Sequence, residues 1–479
     1  MGVRNEATDG NASGNGVGRR AVLRRLSAGT CVLAWPAAAR VGTDKPRLYV
    51  RAGITGSTFV QPPEDHPTRR TSDLAGFRPG SPEPRTRFGG FGSGRTTTSS
   101  FFAVERIGKR WWLRDPDGGR FLSIGINSVD PRRGGAAGRA AYARRFGSDA
   151  AWATETLALL RATGINTAGA WSDPAALAAG GGRIADCPNL GFLAAFGRTI
   201  GGTHAQPGHV GFAHNAVPVF DPRFVEFCDR HAAGLADRAN DPWLLGYFTD
   251  NELPLGDRML DDFLAAPVDD PAHRGAMAWL AGRDPARIDG EMRDRFRAYV
   301  IDRYYATVTT AIRRHDPNHL IFGTRFYGDE KDSATAFRAS GRYLDAVAVN
   351  VYHEWTPDIG RMRRWSAWSG RPVLVSEFYA KGEDAGLSNR GGAGWTVATQ
   401  ADRGLFYENF VLGLIEAGVC IGWHWHRYMD EPAPARPHPW NGGSNKGLVG
   451  TGFAPYPPLA AMMREVNRDV PALARYFDT

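Results

Sequence analysis

Cysteine is scarce: Cys31, Cys187, Cys228 and Cys420 are the only four in 479 residues, and they show no CxxC pair or other metal-type spacing. That excludes a disulfide framework and a cysteine-based zinc site as organising devices. No block of five or six like charges occurs. The formal charge of +8 is spread along the chain, mainly as arginine, and forms no nucleic-acid tail. No stretch approaches twenty apolar residues, so a membrane-spanning helix is not expected. A glycine-rich phosphate loop is also missing, because the chain after the first candidate strand reads Asn127-Ser128-Val129-Asp130-Pro131. This argues against a doubly wound nucleotide-binding sheet. Neither a cofactor nor a metal is expected, and neither nucleic acid nor membrane is an expected partner.

What is present begins with an address. Residues 1–18 are rich in Gly, Asn and Ser, and are followed by Arg19-Arg20-Ala21-Val22-Leu23-Arg24-Arg25, a modestly apolar stretch through Trp35, and Ala37-Ala38-Ala39. A basic region, a short apolar region and small residues make residues 1–40 a signal segment that resembles the twin-arginine type. The expectation is a bacterial protein exported to the periplasm or beyond, free of the membrane once the segment is removed. Residues 41–100, rich in Pro, Gly, Thr and Arg, read as a linker or extended arm. Residues 101–117 alternate around Gly108 and read as a β-hairpin.

From there strand and helix patterns alternate. Candidate strands are 121–126, 165–170, 191–196, 244–248, 320–324, 346–351, 373–376 and 419–423, with amphipathic helices at 149–163, 222–239, 288–314, 403–417 and 458–469. Eight strands interleaved with helices predict an α/β fold, a (β/α)8 TIM barrel with enlarged βα loops over 101–479. Such barrels place their chemistry at the carboxyl ends of the strands.

Two glutamates stand at such ends. Glu252 closes PWLLGYFTDNE after the fourth strand, and Glu377 closes PVLVSE on the seventh. Facing carboxyl groups are the minimal equipment for cleaving a glycosidic bond, and in the retaining form they lie about 5–5.5 Å apart. Asp250 is a rival acid, although strand alternation turns it away from Asn251. The other strand ends supply candidate substrate contacts: Asn127, Trp171, Asn251, Arg325, Asn350 and Tyr352, then Trp423, His424 and Trp425, with His426 just beyond. Fourteen tryptophans are many for this length, and an indole face packs well on a pyranose. Trp423 or Trp425 is the expected floor for the sugar, and Tyr352 the donor that keeps a carboxylate ionised. Trp395, Asn445 and Lys446 are expected in the cleft walls. His204, His209 and His214 share one loop at five-residue spacing, which suits no familiar structural zinc site.

The Asn-Glu pair on strand four with a glutamate on strand seven resembles clan A of the glycoside hydrolases. The stretches WWLRDPDGGRFLSIGINSV, PWLLGYFTDNELPLG, RPVLVSEFYAKGEDAGLSN, GAGWTVATQADRGLFYENFVLGLIEAGVCIGWHWHRYMD and GGSNKGLVG resemble β-agarases of glycoside hydrolase family 50, across roughly residues 100–450. The resemblance implies Glu252 as acid/base, Glu377 as nucleophile, and exo-type retaining cleavage of β-1,4 galactosidic bonds in agarose, releasing neoagarobiose. Family-50 agarases usually carry a larger β-sandwich region ahead of the barrel, where this chain has about sixty residues. A β-galactosidase-like enzyme acting on short oligosaccharides, or a carbohydrate-binding barrel without catalysis, remain the alternative readings.

Overall fold

The computed structural model describes residues 48–56, 59–92, 99–206, 208–433 and 443–479. The predicted signal segment, with Cys31, and part of the stretch leading to Asn445 and Lys446 lie outside the described residues.

Eight parallel strands form the centre: β1 (Ser123–Ile126), β2 (Thr167–Ala168), β3 (Ala185–Asp186), β4 (Gly246–Phe248), β5 (Leu320–Gly323), β6 (Val347–Asn350), β7 (Val373–Phe378) and β8 (Cys420–Trp425). One sheet runs β6-β7-β8-β1-β2-β3 and a second pairs β4 with β5. Parallel bridges Asp186 to Leu244 and Asn189 to Phe248 link β3 to β4, and Phe326 to Val349 links β5 to β6. Hydrogen-bonded neighbours therefore follow one another through all eight strands and back to the first.

Side-chain alternation divides the interior in two. Leu320, Phe322, Ala346, Ala348, Leu374 and Ile421 belong to an inner cluster with Phe248 and Ala185. Their neighbours Ile321, Val347, Val349, Val373 and Val375 belong to the outer core, under the helices. Successive residues of a strand point to opposite faces, so a strand buried on both sides feeds two cores in turn. The inner cluster is closed at the amino-terminal end of the strands by the hairpin Ala103–Ile107/Arg110–Arg114 and its flanks. There Phe102 packs edge-on against Phe88 and Phe121, and Phe88 meets Trp243. This leaves the carboxyl ends open for chemistry.

The outer helices carry their own start and stop signals. Ser148 caps Asp149–Ala162 through a bond from Ala151 N to its Oγ (3.2 Å). Thr399 and Asp402 form a capping box on Gln400–Ala417, which stops at Gly418. That last helix packs on Pro457–Asp478 and supplies Phe406 and Phe410 to the back of β7.

Two expectations are corrected. Residues 191–196 are not a strand: Phe192–Thr199 is a helix, and the third strand is the two-residue pair Ala185–Asp186. Phe192, Leu193 and Phe196 sit at helical spacing with their faces buried. The helix start is fixed by the distant Asp250 carboxylate, which accepts bonds from Leu193 N (2.8 Å) and Ala194 N (3.1 Å). The supposed arm is also structured. Leu48–Thr55 and Val60–Thr68 pair as a long antiparallel hairpin, and the first of these strands pairs with Trp395–Val397. Val60–Thr68 lies at the sheet edge, where one side of the strand is unpaired and proline is tolerated, so the proline-rich composition is compatible with a strand.

Phe410 is fully buried and stacks on Phe378, centroids 4.5 Å apart at 9°. Phe410→Ala is expected to cost about 3–5 kcal/mol of stability, measurable by urea unfolding. A loss below about 1 kcal/mol would mean that this packing does not hold β7.

Candidate active site

At the carboxyl ends of the strands a cavity of about 490 Å³ is lined by both glutamates together with Trp171, His209, Tyr327, Tyr352, Tyr379, His426, Arg427 and Lys446. A second cavity of about 540 Å³ adjoins it, sharing Trp171, Gln206, Gly208 and His209, and is lined further by Asn251 and Arg198.

Glu377 is the penultimate residue of β7 and is 5% exposed. Its Oε1 lies 2.7 Å from Arg325 Nη2, and its Oε2 accepts a hydrogen bond from the Tyr352 hydroxyl. Burial pushes its carboxyl above the ordinary range; Arg325 and the Tyr352 hydroxyl pull it down, while Glu252 pushes it up. Burial, and then Glu377 itself, push the Tyr352 phenol well up, so it stays a donor.

Glu252 follows β4 by four residues and holds a left-handed backbone, φ 49°. Its N–H donates to Thr324 O (2.9 Å), anchoring the turn to the end of β5. Its Oε1 accepts from Asn350 Nδ2 (2.7 Å), and its Oε2 stands 3.5 Å from His209 Nδ1. Ser128, Trp171 and Arg325 also leave their strands at positive φ. Such backbone is costly for residues with side chains and collects where a site needs it.

The two carboxyls belong to one network. Ser376 Oγ donates to Asn350 Oδ1 (2.7 Å), while Ser376 O accepts from Arg325 Nη2 (2.9 Å) and from Asn127 Nδ2 (2.9 Å). Arg325 Nη1 donates to Asn251 Oδ1 (3.0 Å). The Arg325 guanidinium is wholly buried, 4.5 Å from the Trp171 ring centroid and 5.0 Å from that of Phe248. Asn127, Asn350 and Arg325 thus support the carboxylates from below rather than lining the cavity.

The structure brings Trp171, Tyr352 and Lys446 to the cavity as anticipated in position, and Asn251 to its neighbour. Lys446 Nζ pairs with Glu431 Oε2 at 2.7 Å. Burial opposes its charge, but Tyr379 and Glu431 outweigh that and its pKa is raised. Trp423 and Trp425 do not provide a floor: both are 1% exposed, with indole N–H groups donating to Tyr407 Oη (3.0 Å) and to the Lys446 carbonyl (2.9 Å). His424 is buried with Nε2 2.8 Å from Ser123 Oγ, and burial, then Arg325, lower its pKa to about 3. Trp395 is buried against His66 and Trp355. Asn445 is buried too, joining Gly382 N, Gln400 and Asp430. Asp250 is no rival acid in the cavity between the glutamates, because its carboxylate is spent on the helix start and on Tyr304 Oη (2.7 Å), and burial raises it to about 6. Among the described residues, no group of three or more His, Cys, Asp or Glu side chains is placed to hold a metal ion. Cys187, Cys228 and Cys420 are free and buried.

Sequence reasoning passed over Tyr327, Tyr379, Arg133, Arg427 and Glu431 as site residues; it read His209 as a substrate hydrogen-bonding or plain loop residue, and placed His426 at the end of the eighth strand without a role. A signal existed for two of them. Tyr379 and His426 each stand two residues beyond an inward-facing position, Glu377 and His424, and alternation returns them to the same side. Gly392 could also be inferred only from the fold: it has φ +78°, and a Cβ there would sit 2.0 Å from Tyr379 Oη.

With the geometry in place, comparison with known proteins gives the class. No family model matches the chain. It is 23% identical over 505 residues to β-agarase B of Vibrio sp. (strain JT0107), covering 81% of this chain and 50% of that protein. It is 25% identical over 378 residues to β-agarase A of the same organism, covering 67% and 36%. The chain therefore spans half or less of the curated relatives it matches. Among solved structures, BpGH50 superposes with a TM-score of 0.78 at 25% identity, over 90% of this chain and 96% of that one. An exo-β-agarase structure gives 0.68 at 19% identity, over 82% and 68%. In sequence the chain is β-agarase-like. Its α/β fold resembles that of the solved glycoside hydrolase family 50 structures.

A carboxyl whose pKa is raised on folding binds its proton more tightly in the native state. Its stabilising contribution is then complete below the unfolded value and is lost as pH rises through the folded value. Wild-type stability minus that of Glu377→Gln should therefore fall as pH rises out of the ordinary carboxylate range, then level off. Urea unfolding at stepped pH reads this, and a rising difference would contradict the environment described for Glu377.

Proposed function

We propose that the eight parallel strands constitute a (β/α)8 barrel and that the chain is an exported retaining glycoside hydrolase acting on β-galactosidic bonds of a galactan, in the first place agarose. The observation that carries this reading is the pair of glutamates lining one cavity in unlike surroundings. Glu377 has a guanidinium on one oxygen and a phenol hydroxyl on the other, and both favour its charged form against the burial that opposes it. Glu252 has a neutral amide on one oxygen, with its other oxygen toward a histidine and the cavity. Two carboxyls sharing a poorly solvated cavity resist both being ionised, which separates their roles.

In this mechanism Glu377 attacks the anomeric carbon while Glu252 protonates the departing glycosidic oxygen. A covalent glycosyl ester forms on Glu377. Glu252, now a base, takes a proton from water, which attacks the same carbon and releases a sugar of retained configuration. Arg325 and Tyr352 favour the ionised form of the nucleophile in the free enzyme, and also stabilise it as the leaving carboxylate in the second step. Asn251 presents its amide toward the adjoining cavity, where a sugar hydroxyl would meet it. Trp171 is the indole available to a sugar ring, in place of the buried Trp423 and Trp425, beside Tyr327, Tyr352 and Tyr379. The similarity to β-agarases supports agarose as substrate, and the Arg19-Arg20 segment supports export.

Incubation with agarose, followed by mass-resolved product analysis, tests the reading. Neoagarobiose is expected from the wild type. Glu377→Gln should lose on the order of 10⁴-fold or more in turnover, since an amide cannot form the ester. Glu252→Gln should lose about 10²–10⁴-fold on agarose, and much less on an aryl galactoside whose leaving group needs no proton. Undiminished activity in Glu377→Gln would refute the assignment. Tyr352→Phe removes a donor that favours the charged form of Glu377, so the acidic limb of its kcat/KM profile should move to higher pH. A limb that stays in place or moves down would exclude that role.

A further inference from the structure

The cavity holds more positive charge than its chemistry uses. Of its cationic side chains, Lys446 is paired with Glu431 at 2.7 Å, and the Arg325 behind it is paired with Glu377 at 2.7 Å. Arg427 and Arg133 also line it. Arg427 donates Nε to the Met429 carbonyl (3.0 Å) and has no carboxylate within ion-pair distance among the described residues. The nearest acid in sequence, Asp430, is turned away and fully engaged by Asn445 Nδ2, Gly447 N and Tyr456 Oη. Arg133 donates Nη2 to the Trp171 carbonyl (3.2 Å), and its Nε stands 3.4 Å from Asp130 without a hydrogen bond. Burial lowers the pKa of Arg427; the Glu431 carboxylate, which is already paired with Lys446, opposes this, and the neighbouring Arg133 guanidinium adds to the lowering. Beside them His426 has a buried Nδ1 without a partner, and burial, then Lys446 and Arg427, hold the ring neutral.

Two guanidiniums converging in a cavity carry a standing cost unless an anion joins them. Neither hydrolytic carboxylate is that anion: Glu377 is held by Arg325 and Tyr352, and Glu252 by Asn350. A neutral galactan would leave Arg427 only Glu431, shared with Lys446, to offset its charge. An anionic oxygen group offers several acceptors to the forked N–H donors, which is the pairing guanidinium favours. From this we infer that Arg427 and Arg133 form a subsite for an anionic substituent on the sugar, a sulfate ester or a carboxylate, so that the preferred substrate is an acidic galactan. The inference rests on the glycoside hydrolase reading for the choice of sugar, but its recognition step is independent of turnover.

Binding is therefore measured by calorimetry on Glu377→Gln, with oligosaccharides of equal length in three forms: neutral from agarose, 6-sulfated from porphyran, and oxidised at C6 to the uronate. A charge-assisted pair supports about tenfold or more in affinity. At least one acidic form should bind that much tighter than the neutral one, and whichever does so identifies the group. Adding Arg427→Gln should abolish the preference, and adding Arg133→Gln should reduce it, with the thermal midpoint of each variant confirming that it is folded. Equal binding of all three forms, no binding of any, or an equal loss for all three on Arg427→Gln would overturn the inference. Hydrolysis by the wild type is followed in parallel. An acidic preference in binding without turnover would sustain the subsite and count against the hydrolase reading; turnover with no acidic preference would do the reverse.

Discussion

The buried ion pair between Arg325 and Glu377 is the interaction around which the site is arranged. Removing a guanidinium from water costs several kcal/mol, so Arg325 is tolerated only because nearly every group around it answers its charge. Glu377 takes one end, the carbonyl of Ser376 and the amide oxygen of Asn251 take others, and the rings of Trp171 and Phe248 lie within cation–π range. These partners come from the ends of β2, β4 and β7 or from the loops just after them. The pair therefore sets the relative positions of the ends of β2, β4, β5 and β7. It also fixes where the nucleophile of the proposed reaction stands.

Through Asn350 the same network reaches the second glutamate. The Asn350 amide donates to Glu252 and accepts from Ser376, so a shift of β7 is felt at both carboxyls. The adjoining aromatic side chains serve different ends. Trp423 and Trp425, fully buried, lock β8 against the outer helices, whereas Trp171, Tyr327, Tyr352 and Tyr379 are the rings a substrate would meet. Deep polar residues hold the walls in place: Asn445 ties Gly382, Gln400 and Asp430 together immediately before Lys446.

Much of the architecture was legible because buried parallel strands are short apolar runs and their helices are amphipathic. The runs ending at Phe248, Gly323, Asn350, Phe378 and Trp425 were each identified to within a few residues. The third strand was not, because two residues, Ala185 and Asp186, leave no periodic signal. The nearby apolar run of 191–196 owes its helical start to Asp250, more than fifty residues away. The hairpin of residues 48–68 was hidden by prolines that an edge strand tolerates. At the site, Glu252, Glu377, Arg325, Asn350 and Tyr352 were visible as polar residues at strand ends. Whether such a residue lines a cavity or supports one from below depends on depth, and that is why His424 and Trp425 were read as substrate contacts while His426 was placed at the strand end without a role. Loop residues such as His209, Arg427 and Glu431 carry no local mark of their convergence.

The most direct test of the central claim is to identify the carboxylate that becomes covalently attached to the sugar. A 2-deoxy-2-fluoro galactoside with an activated leaving group slows breakdown of the glycosyl ester enough for peptide mapping by mass spectrometry. The account predicts one added sugar per chain, located on the peptide containing Glu377 and absent in Glu377→Gln. A label on Glu252 or on any other carboxylate, or steady hydrolysis with inversion and no label, would contradict it.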